Sequence, residues 1–598
     1  MVAKLTRVSR SLIVADEVSN VKPTDKVLVG DEGLVGEVLS VSGRSAFIQI
    51  YEDSAGLKQG DRVSTTSGPI TVSLGPGLLG GIFDGLQRPL TKIRDLIGTT
   101  LGRGLSIPAL DEDQRWEFVP LLSEGDEVNG GDIIGTVAEQ SAITHKIMLP
   151  HNVSGVIENI TQCTVSVYDV VCTIKTADDE TVNVTMIRDW PIRTPRPVSR
   201  KLPSATPLYT GQRIFDSLFP ITKGGSAALI GPPGSGKTVA ARQLSKYSET
   251  DVVVFVTCGG RGTEIADIIS EFEELSDRHN SFPLIERSVI IANTTDMPIA
   301  ARESAVYTGT TIAEYYRDMG YDVLLMIDSI SSWAEAMRLL SDEIGFSPAE
   351  GGYPPYLNTR IAQLFERGGY VECCGSDSRR GSLTIAGVFT ACSDKSPDPA
   401  IHAVKRVTGT ILNFDLTLAA ERHFPSVDWL DSYLRNTESI KSWYDKAFGS
   451  DFFKNTGKAF KLLRKEAELF DIQKHFGKES MSASDRLSLH CAKMIREDFL
   501  QQDAQSTPDC FSTYEKQATL LSLILYYHDL CADALSRRIT DVSVLFEIPA
   551  LSSLAKAKML KPDECEEKFN QIAVEIEQQI SLELQRQLER KEISEQNG

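Results

Sequence analysis

The run Gly231-Pro232-Pro233-Gly234-Ser235-Gly236-Lys237-Thr238 follows directly on the apolar segment Ala227-Ala228-Leu229-Ile230 and leads into Val239-Ala240-Ala241. An apolar strand, a glycine-rich loop and a helix start, in that order, are what a phosphate cradle requires. Glycines at 231, 234 and 236 let backbone N–H groups curl around an anion, and the helix N-terminus adds partial positive charge. Lys237 is then placed to reach the β- and γ-phosphates, and the Thr238 hydroxyl to ligate Mg²⁺. Gly231, Pro232, Pro233, Gly234, Ser235, Gly236, Lys237, Thr238 and Val239 form the expected binding stretch for ATP or ADP with Mg²⁺.

The texture around this run fits an α/β domain. Segments 252–257, 289–292, 323–327 and 383–389 read as buried strands, while 264–274 and 300–318 have helical periodicity. Together they predict a mostly parallel sheet covered by helices on both faces. The segment 323–327 ends in Asp328, which puts a carboxylate at the C-terminal edge of that sheet, where ligands of parallel sheets bind. There Asp328 could hold the Mg²⁺ shell. After the strand at 252–257 comes Cys258-Gly259-Gly260-Arg261-Gly262-Thr263-Glu264. Arg261 is an always-charged fork suited to phosphate, although the run also reads as a glycine turn with a solvated arginine.

Working outward, residues 1–70 alternate short β-rich runs with turn signals and read as a small antiparallel barrel. Residues 71–109 form a connector and part of the nucleotide domain, with a glycine-rich hinge at Leu74-Gly75-Pro76-Gly77 and then Ile82-Phe83-Asp84-Gly85 opening toward a helix. Residues 110–189 are again strand-like, with candidates at 133–137, 145–149, 155–160 and 164–174. The proline-rich stretch 190–207 predicts an extended connector. The nucleotide domain runs over 190–435, and 436–598 is helical in pattern, ending in a charged, glutamine-rich segment at 563–595.

At 598 residues the chain is too long for one core. Its net charge of −20 argues against a sequence-independent nucleic-acid binder. No run of apolar residues approaches the length needed to span a bilayer, and MVAKLTRVSRSLIVADE turns charged before a signal-peptide core can form. Ten cysteines at irregular spacing, without a CxxC pair, read as free thiols rather than a zinc site.

Taken together, these residues resemble the catalytic A-type chains of the V/A-type rotary ATPases over nearly the whole length. The family-type stretches are LGPG at 74–77 with IFDGLQRPL at 82–90, HKIMLP at 145–150, GQRIFD at 211–216 with Lys223-Gly224-Gly225, the long run at 297–322, 352–357, and Arg422-His423-Phe424-Pro425-Ser426. The resemblance implies an N-terminal β-barrel, an inserted bulge, a RecA-like nucleotide domain and a helical C-terminal domain. It implies an alternating hexameric ring with B subunits, central rotor and peripheral stalks, and a membrane sector reached indirectly from the cytoplasmic face. Coupling of ATP hydrolysis or synthesis to H⁺ or Na⁺ transport follows from it. Phe424 falls where the family places an aromatic against adenine; a core phenylalanine would read the same way.

The chain also departs from the family. GER in the family is Gly259-Gly260-Arg261 here, so the glutamate that orients the attacking water is Gly260. Ser-Arg-Trp becomes Ser331-Ser332-Trp333, Pro233 replaces the usual phenylalanine, Gly351 stands in place of a glutamate, and so does Arg380. Lys237, Thr238, Arg261 and Asp328 are retained. A nucleotide-binding but non-hydrolysing paralogue with a structural or regulatory role is therefore the alternative reading. Glu264, four residues past Gly260, is the nearest carboxylate that could compensate. An RNA-translocating RecA-type hexamer is disfavoured by the acidic charge.

Overall fold

The computed structural model describes residues 3–9, 11–18, 20–98, 102–140, 143–275, 282–345, 347–391, 398–435, 437–477, 481–537 and 542–596. The chain divides into two compact units. The first comprises Met1–Ser204, Lys223–Ile230 and Thr250–Thr408; the second comprises Ala205–Thr222, Gly231–Glu249 and Gly409–Gly598.

In the first unit, six strands from Ala3–Val8 to Arg62–Pro69 close a barrel in the spatial order first, second, fifth, fourth, third, sixth. Alternation drives this closure: Val27, Val29, Leu34, Val38, Ala46, Ile48 and Ile50 all point inward and are fully buried. The β-rich insertion forms two four-stranded sheets. They correct the sequence reading, because 164–174 is two strands, Cys163–Val165 in one sheet and Val170–Thr176 in the other. Asp169 breaks the run: its carboxylate reaches back to accept from the Ser166 N–H at 2.8 Å, closing a turn between the two strands.

The central sheet places Ser226–Gly231 beside Arg380–Thr390, followed by Asp322–Asp328, Val252–Gly260, Ser288–Thr294 and Ile82–Phe83. From Arg380–Thr390 outward these pairings are parallel, as the apolar runs predict. Ile82–Phe83 is a short edge strand, and the expected helix follows it at Leu90–Ile97. The extended connector carries one strand of its own, Arg200–Leu202, paired with Gly369–Glu372.

The helix Ile299–Asp318 is buried along almost its whole length. Gly309 is what lets it approach the sheet, since a Cβ there would lie 2.3 Å from Val256. Its polar residues organise the motifs that the sequence singles out. Ser304 and Thr308 both donate to the Gly85 carbonyl, and Asp84 holds Arg88 through a 2.7 Å ion pair. Glu303 shares Arg193 with Glu37 of the barrel, at 2.8 and 3.0 Å. Glu314 binds Arg367 and Asp318 binds Arg196, each at 2.6 Å and each buried. Buried charges survive only when paired in this way.

Leu74-Gly75-Pro76-Gly77 is not a loose hinge. Glu139 accepts from the Gly77 and Leu79 N–H groups at 2.7 and 3.1 Å and pairs with His145 Nδ1 at 2.6 Å. Tyr316 also donates to Glu139, and Tyr315 lies 2.9 Å from His145 Nε2. Burial alone would raise the Glu139 carboxyl, but His145 and the two amides outweigh it and hold it below the ordinary range.

The second unit is mainly helical, with long helices at Ser450–Phe476, Tyr514–Ser536 and Pro562–Gln596. It also holds a small antiparallel pair, Thr410–Asn413 with Tyr433–Leu434. Among the described residues no helix is long and apolar enough to cross a membrane, and no His/Cys/Asp/Glu cluster has metal-binding form.

Candidate nucleotide-binding site

The quoted run forms a tight turn between its strand and the helix Lys237–Tyr247. Gly234 and Gly236 adopt left-handed φ values of +82° and +83°, which non-glycine residues rarely take up. Gly231 serves packing instead, because a Cβ there would lie 2.7 Å from Phe414 Cβ. Gly236 caps the helix without any side-chain acceptor, so the first N–H groups are not taken by a capping side chain. The buried Lys237 ammonium donates to the Pro232 carbonyl at 2.6 Å, and Ser235 Oγ reaches the same oxygen at 2.8 Å. Ser426 secures the turn from outside by donating to the Ser235 carbonyl. Pro233 and Val239 are exposed, and Thr238 is half-buried at the helix start.

Beside this turn lies a cavity of about 600 Å³, lined by Gln212, Gly236, Val239, Ala240, Gln243, Arg422, Phe424, Pro425, Gln501, Gln502, Asp503, Ala504, Gln505, Asp509, Lys558 and Met559. That volume lies within the range of small-molecule sites, roughly 300–1,000 Å³. Phe424 is 42% exposed, which distinguishes it from a core phenylalanine, and its ring would lie 3.4 Å from a Cβ on Gly236.

The cavity's shape depends on Gln502. Its amide donates to the Gly211 and Asp509 carbonyls, both at 2.8 Å, and accepts from the Arg213 N–H at 2.9 Å. Its own N–H binds the Phe424 carbonyl at 2.8 Å. Arg213, fully buried, pairs with Asp509 at 2.7 Å and donates to the Phe499 and Gln501 carbonyls. The conspicuous GQRIFD run at 211–216 thus holds a cavity wall. Asp216, within it, is pushed up to about 7 by burial, against opposing hydrogen bonds from Gln517 and Thr210. The 501–509 wall carried no sequence signal beyond a polar break, QQDAQ, in a helical region.

In the first unit, Asp328 ends the strand Asp322–Asp328, with Thr257 opposite it on the neighbouring strand. The strand Val252–Gly260 runs on past the expected end at 257. Gly259 has a left-handed φ of +72° and packs on Ser332, whose Cβ would be 3.2 Å from a Cβ there. Gly260 has no left-handed φ, and a Cβ on it would meet Ile265 Cγ1 at 3.3 Å. Arg261 is exposed and caps the helix Gly262–Glu274, with its N–H directed at Glu264 Oε2 at 3.4 Å. The Glu264 carboxylate is therefore engaged in capping. Ser329 caps the helix Ile330–Ile344 by accepting from the Ser332 N–H, and the two hydroxyls lie 2.9 Å apart.

The residues fit the implied ligands. The turn offers glycine-shaped backbone and a buried ammonium for phosphates, and Thr238 and Asp328 are hard oxygen donors of the kind Mg²⁺ takes. A parallel sheet bearing a glycine-rich strand-to-helix turn defines the P-loop ATPase class. Four family models match: the beta-barrel domain of the ATP synthase alpha/beta family at residues 11–67, the alpha/beta subunit barrel-sandwich domain at 107–193, the alpha/beta family nucleotide-binding domain at 211–433, and the C-terminal domain of V and A type ATP synthase at 441–541. The V-type ATP synthase alpha chain of Acetivibrio thermocellus is 42% identical over 576 residues, covering 96% of this chain and 98% of that one. The corresponding A-type ATP synthase chain of Methanosphaera stadtmanae is 43% identical over 570 residues, with 95% and 97% covered. The chain belongs to the family of V/A-type ATP synthase alpha, or A-type, chains. A solved structure of the assembled ATPase EscN from the enteropathogenic E. coli type III secretion system shares the fold, at TM-score 0.62 and 20% identity, over 88% of this chain and all of that one.

Proposed function

We propose that this chain is the A-type, catalytic-position subunit of a V/A-type rotary ATPase, coupling ATP hydrolysis or synthesis to H⁺ or Na⁺ transport through partner subunits. The observation that carries this reading is the retained turn geometry, with Gly234 and Gly236 left-handed and Lys237 buried, in a chain related to V-type synthase alpha chains over almost its full length. Gly231 to Val239 cradle the phosphates, Phe424 flanks the base, and Thr238 and Asp328 supply oxygen ligands for Mg²⁺. Bound Mg²⁺ neutralises charge developing on the phosphates. Lys237 and Arg261 are assigned the positive charge that this chain brings to phosphoryl transfer. The proposed divisions are 1–70, 71–109, 110–189, 190–435 and 436–598. The partners are B subunits in an alternating hexameric ring, with rotor and peripheral stalks, placing the chain at the cytoplasmic face of the membrane.

A second reading, nucleotide binding without hydrolysis, is favoured by one observation. Gly260 carries no side chain, and the nearby Glu264 carboxylate is engaged at a helix cap. Single-turnover hydrolysis by the full-length chain assembled with its B partner separates the two. Turnover that disappears in Lys237→Ala supports the first; tight binding of ATP without turnover overturns it.

A further inference from the structure

Asp216 lies on the single helical turn Ile214–Leu218, fully buried, and the second unit surrounds its carboxylate with neutral groups. Oδ1 accepts from the Thr210 N–H at 2.9 Å and the Thr210 hydroxyl at 2.7 Å, and Oδ2 accepts from Gln517 Nε2 at 2.9 Å. Tyr444, from the helix Thr437–Phe448, donates to the Asp216 carbonyl; Tyr514 and Gln517 come from the helix Tyr514–Ser536. Burial and then Asp216 raise both phenols far above their usual range, so they stay neutral. The helix Ser450–Phe476 packs on the same turn and brings Phe460 against Phe219. The cations on the adjoining segments are committed elsewhere, Arg213 to Asp509 and Lys516 to the Lys558 and Leu560 carbonyls. Among the described residues Asp216 therefore has hydrogen-bond donors but no ion pair. A buried carboxylate without a cation carries a desolvation cost that taking up a proton removes.

Gln517 is the second half of the arrangement. Its Nε2 also donates to the Ser512 carbonyl at 3.0 Å, while its Oε1 is buried without a hydrogen-bond partner. The Ser512 carbonyl has another donor in the Tyr209 hydroxyl, at 3.0 Å. Turning the amide over thus leaves Ser512 satisfied and presents Oε1 to Asp216 Oδ2. The amide as it stands suits an ionised carboxylate, which accepts; the turned amide suits a protonated one, which donates.

We propose that Asp216 and Gln517 form a proton switch, in which uptake of one proton from solvent on Oδ2 turns the Gln517 amide and its release turns it back. Burial pushes Asp216 up to about 7 from 3.8, against the hydrogen bonds from Gln517 and Thr210, so the switch operates around neutral pH. The folded chain keeps this proton where the unfolded chain has lost it. The stability that the group contributes is complete below pH 3.8 and is lost as pH rises through about 7. Next to Thr210, the Gly211 carbonyl accepts from both Gln502 and the Ser512 N–H, which sets the switch beside the bonds that hold the cavity wall.

Infrared difference spectra of the full-length chain, stepped from about pH 8 to about pH 5, read both halves. The wild type is expected to gain a protonated-carboxyl band with its midpoint at about pH 7, and Asp216→Asn to lack it. Asp498, pushed up to about 6 by burial, titrates in both chains and cancels between them. With the glutamine side-chain carbonyls isotope-labelled, one amide band is expected to fall in frequency over the same step, as Oε1 gains its bond. Gln517→Leu should abolish that amide shift. It also removes the donor that favours the ionised form, and is expected to move the carboxyl midpoint up by about one pH unit. A residue that only packs would leave the midpoint where it was, and this variant decides the matter should Asp216→Asn fail to fold. Matching carboxyl spectra in wild type and Asp216→Asn, an amide band that does not move, or an unmoved midpoint in Gln517→Leu overturns the proposal.

Discussion

Two glycine-rich turns, 231–236 and 259–262, each lie between a buried strand and a helix, yet they are built on different terms. In the first, Gly234 and Gly236 hold left-handed φ values and the helix cap is itself a glycine. In the second, only Gly259 is left-handed, and the helix after it is capped by Arg261 with Glu264 turned back toward it. A glycine demanded by the backbone cannot be read as a lost side chain. Gly260 is not demanded by the backbone, so what distinguishes that position is the missing side chain itself.

The comparison breaks first at Lys237. Lys237→Ala is expected to weaken ATP binding about 100-fold, the loss of a charge-assisted contact worth roughly 3 kcal/mol, in a titration with fluorescent nucleotide. Binding within a few-fold of wild type would mean that the first turn is not a phosphate cradle. Gly260→Glu is the reciprocal probe. It is expected to raise turnover of the assembled ring by at least about tenfold, as a restored water-positioning group would, while leaving ATP affinity nearly unchanged. An unchanged rate would show that the glycine is not what limits turnover.

A sharper contrast comes from adding one methyl to each turn. Gly236→Ala forces a left-handed alanine beside Phe424 and is expected to cost about 1–2 kcal/mol in denaturant unfolding. Gly260→Ala is expected to stay within about 1 kcal/mol of wild type, since its backbone is not left-handed and only the flexible Ile265 side chain must yield. Equal losses at the two positions would erase the distinction.

A further effect concerns pH. Burial, with Arg496 and Lys558 nearby, pulls His423 down to about 4 from 6.5, and burial with Lys493 does the same to His490. The unfolded chain therefore takes up protons first. The stability these groups contribute is complete above pH 6.5 and is lost as pH falls toward 4. His423→Gln should flatten that acid limb in melting curves taken from about pH 7 to about pH 4. An unaltered slope would place the acid sensitivity elsewhere.

Much of the first turn was legible because its chemistry is local: strand, glycines, lysine and hydroxyl are contiguous from Ala227 to Thr238. Asp328 was legible for a similar reason, as the polar end of an apolar run. The cavity was less so. Phe424 could be named from the family-type run around it, but Gln243 reads as an ordinary polar residue on a helix. The wall at 501–509 is brought to Phe424 by Gln502, far along the sequence, a contact with no periodic signal. The barrel came through its alternation, whereas the 164–174 segment misled because the Asp169 turn sits inside a run of strand-forming residues.

Glu139 has a mechanical consequence. It belongs to the β-rich insertion, yet its carboxylate is tied to Gly77, Leu79, His145 and Tyr316, the last on the buried helix Ile299–Asp318. A tug on that insertion must strain all of these bonds together instead of swinging on the glycines at 75 and 77. Load on the insertion would then pass to the helix that lies against the central sheet.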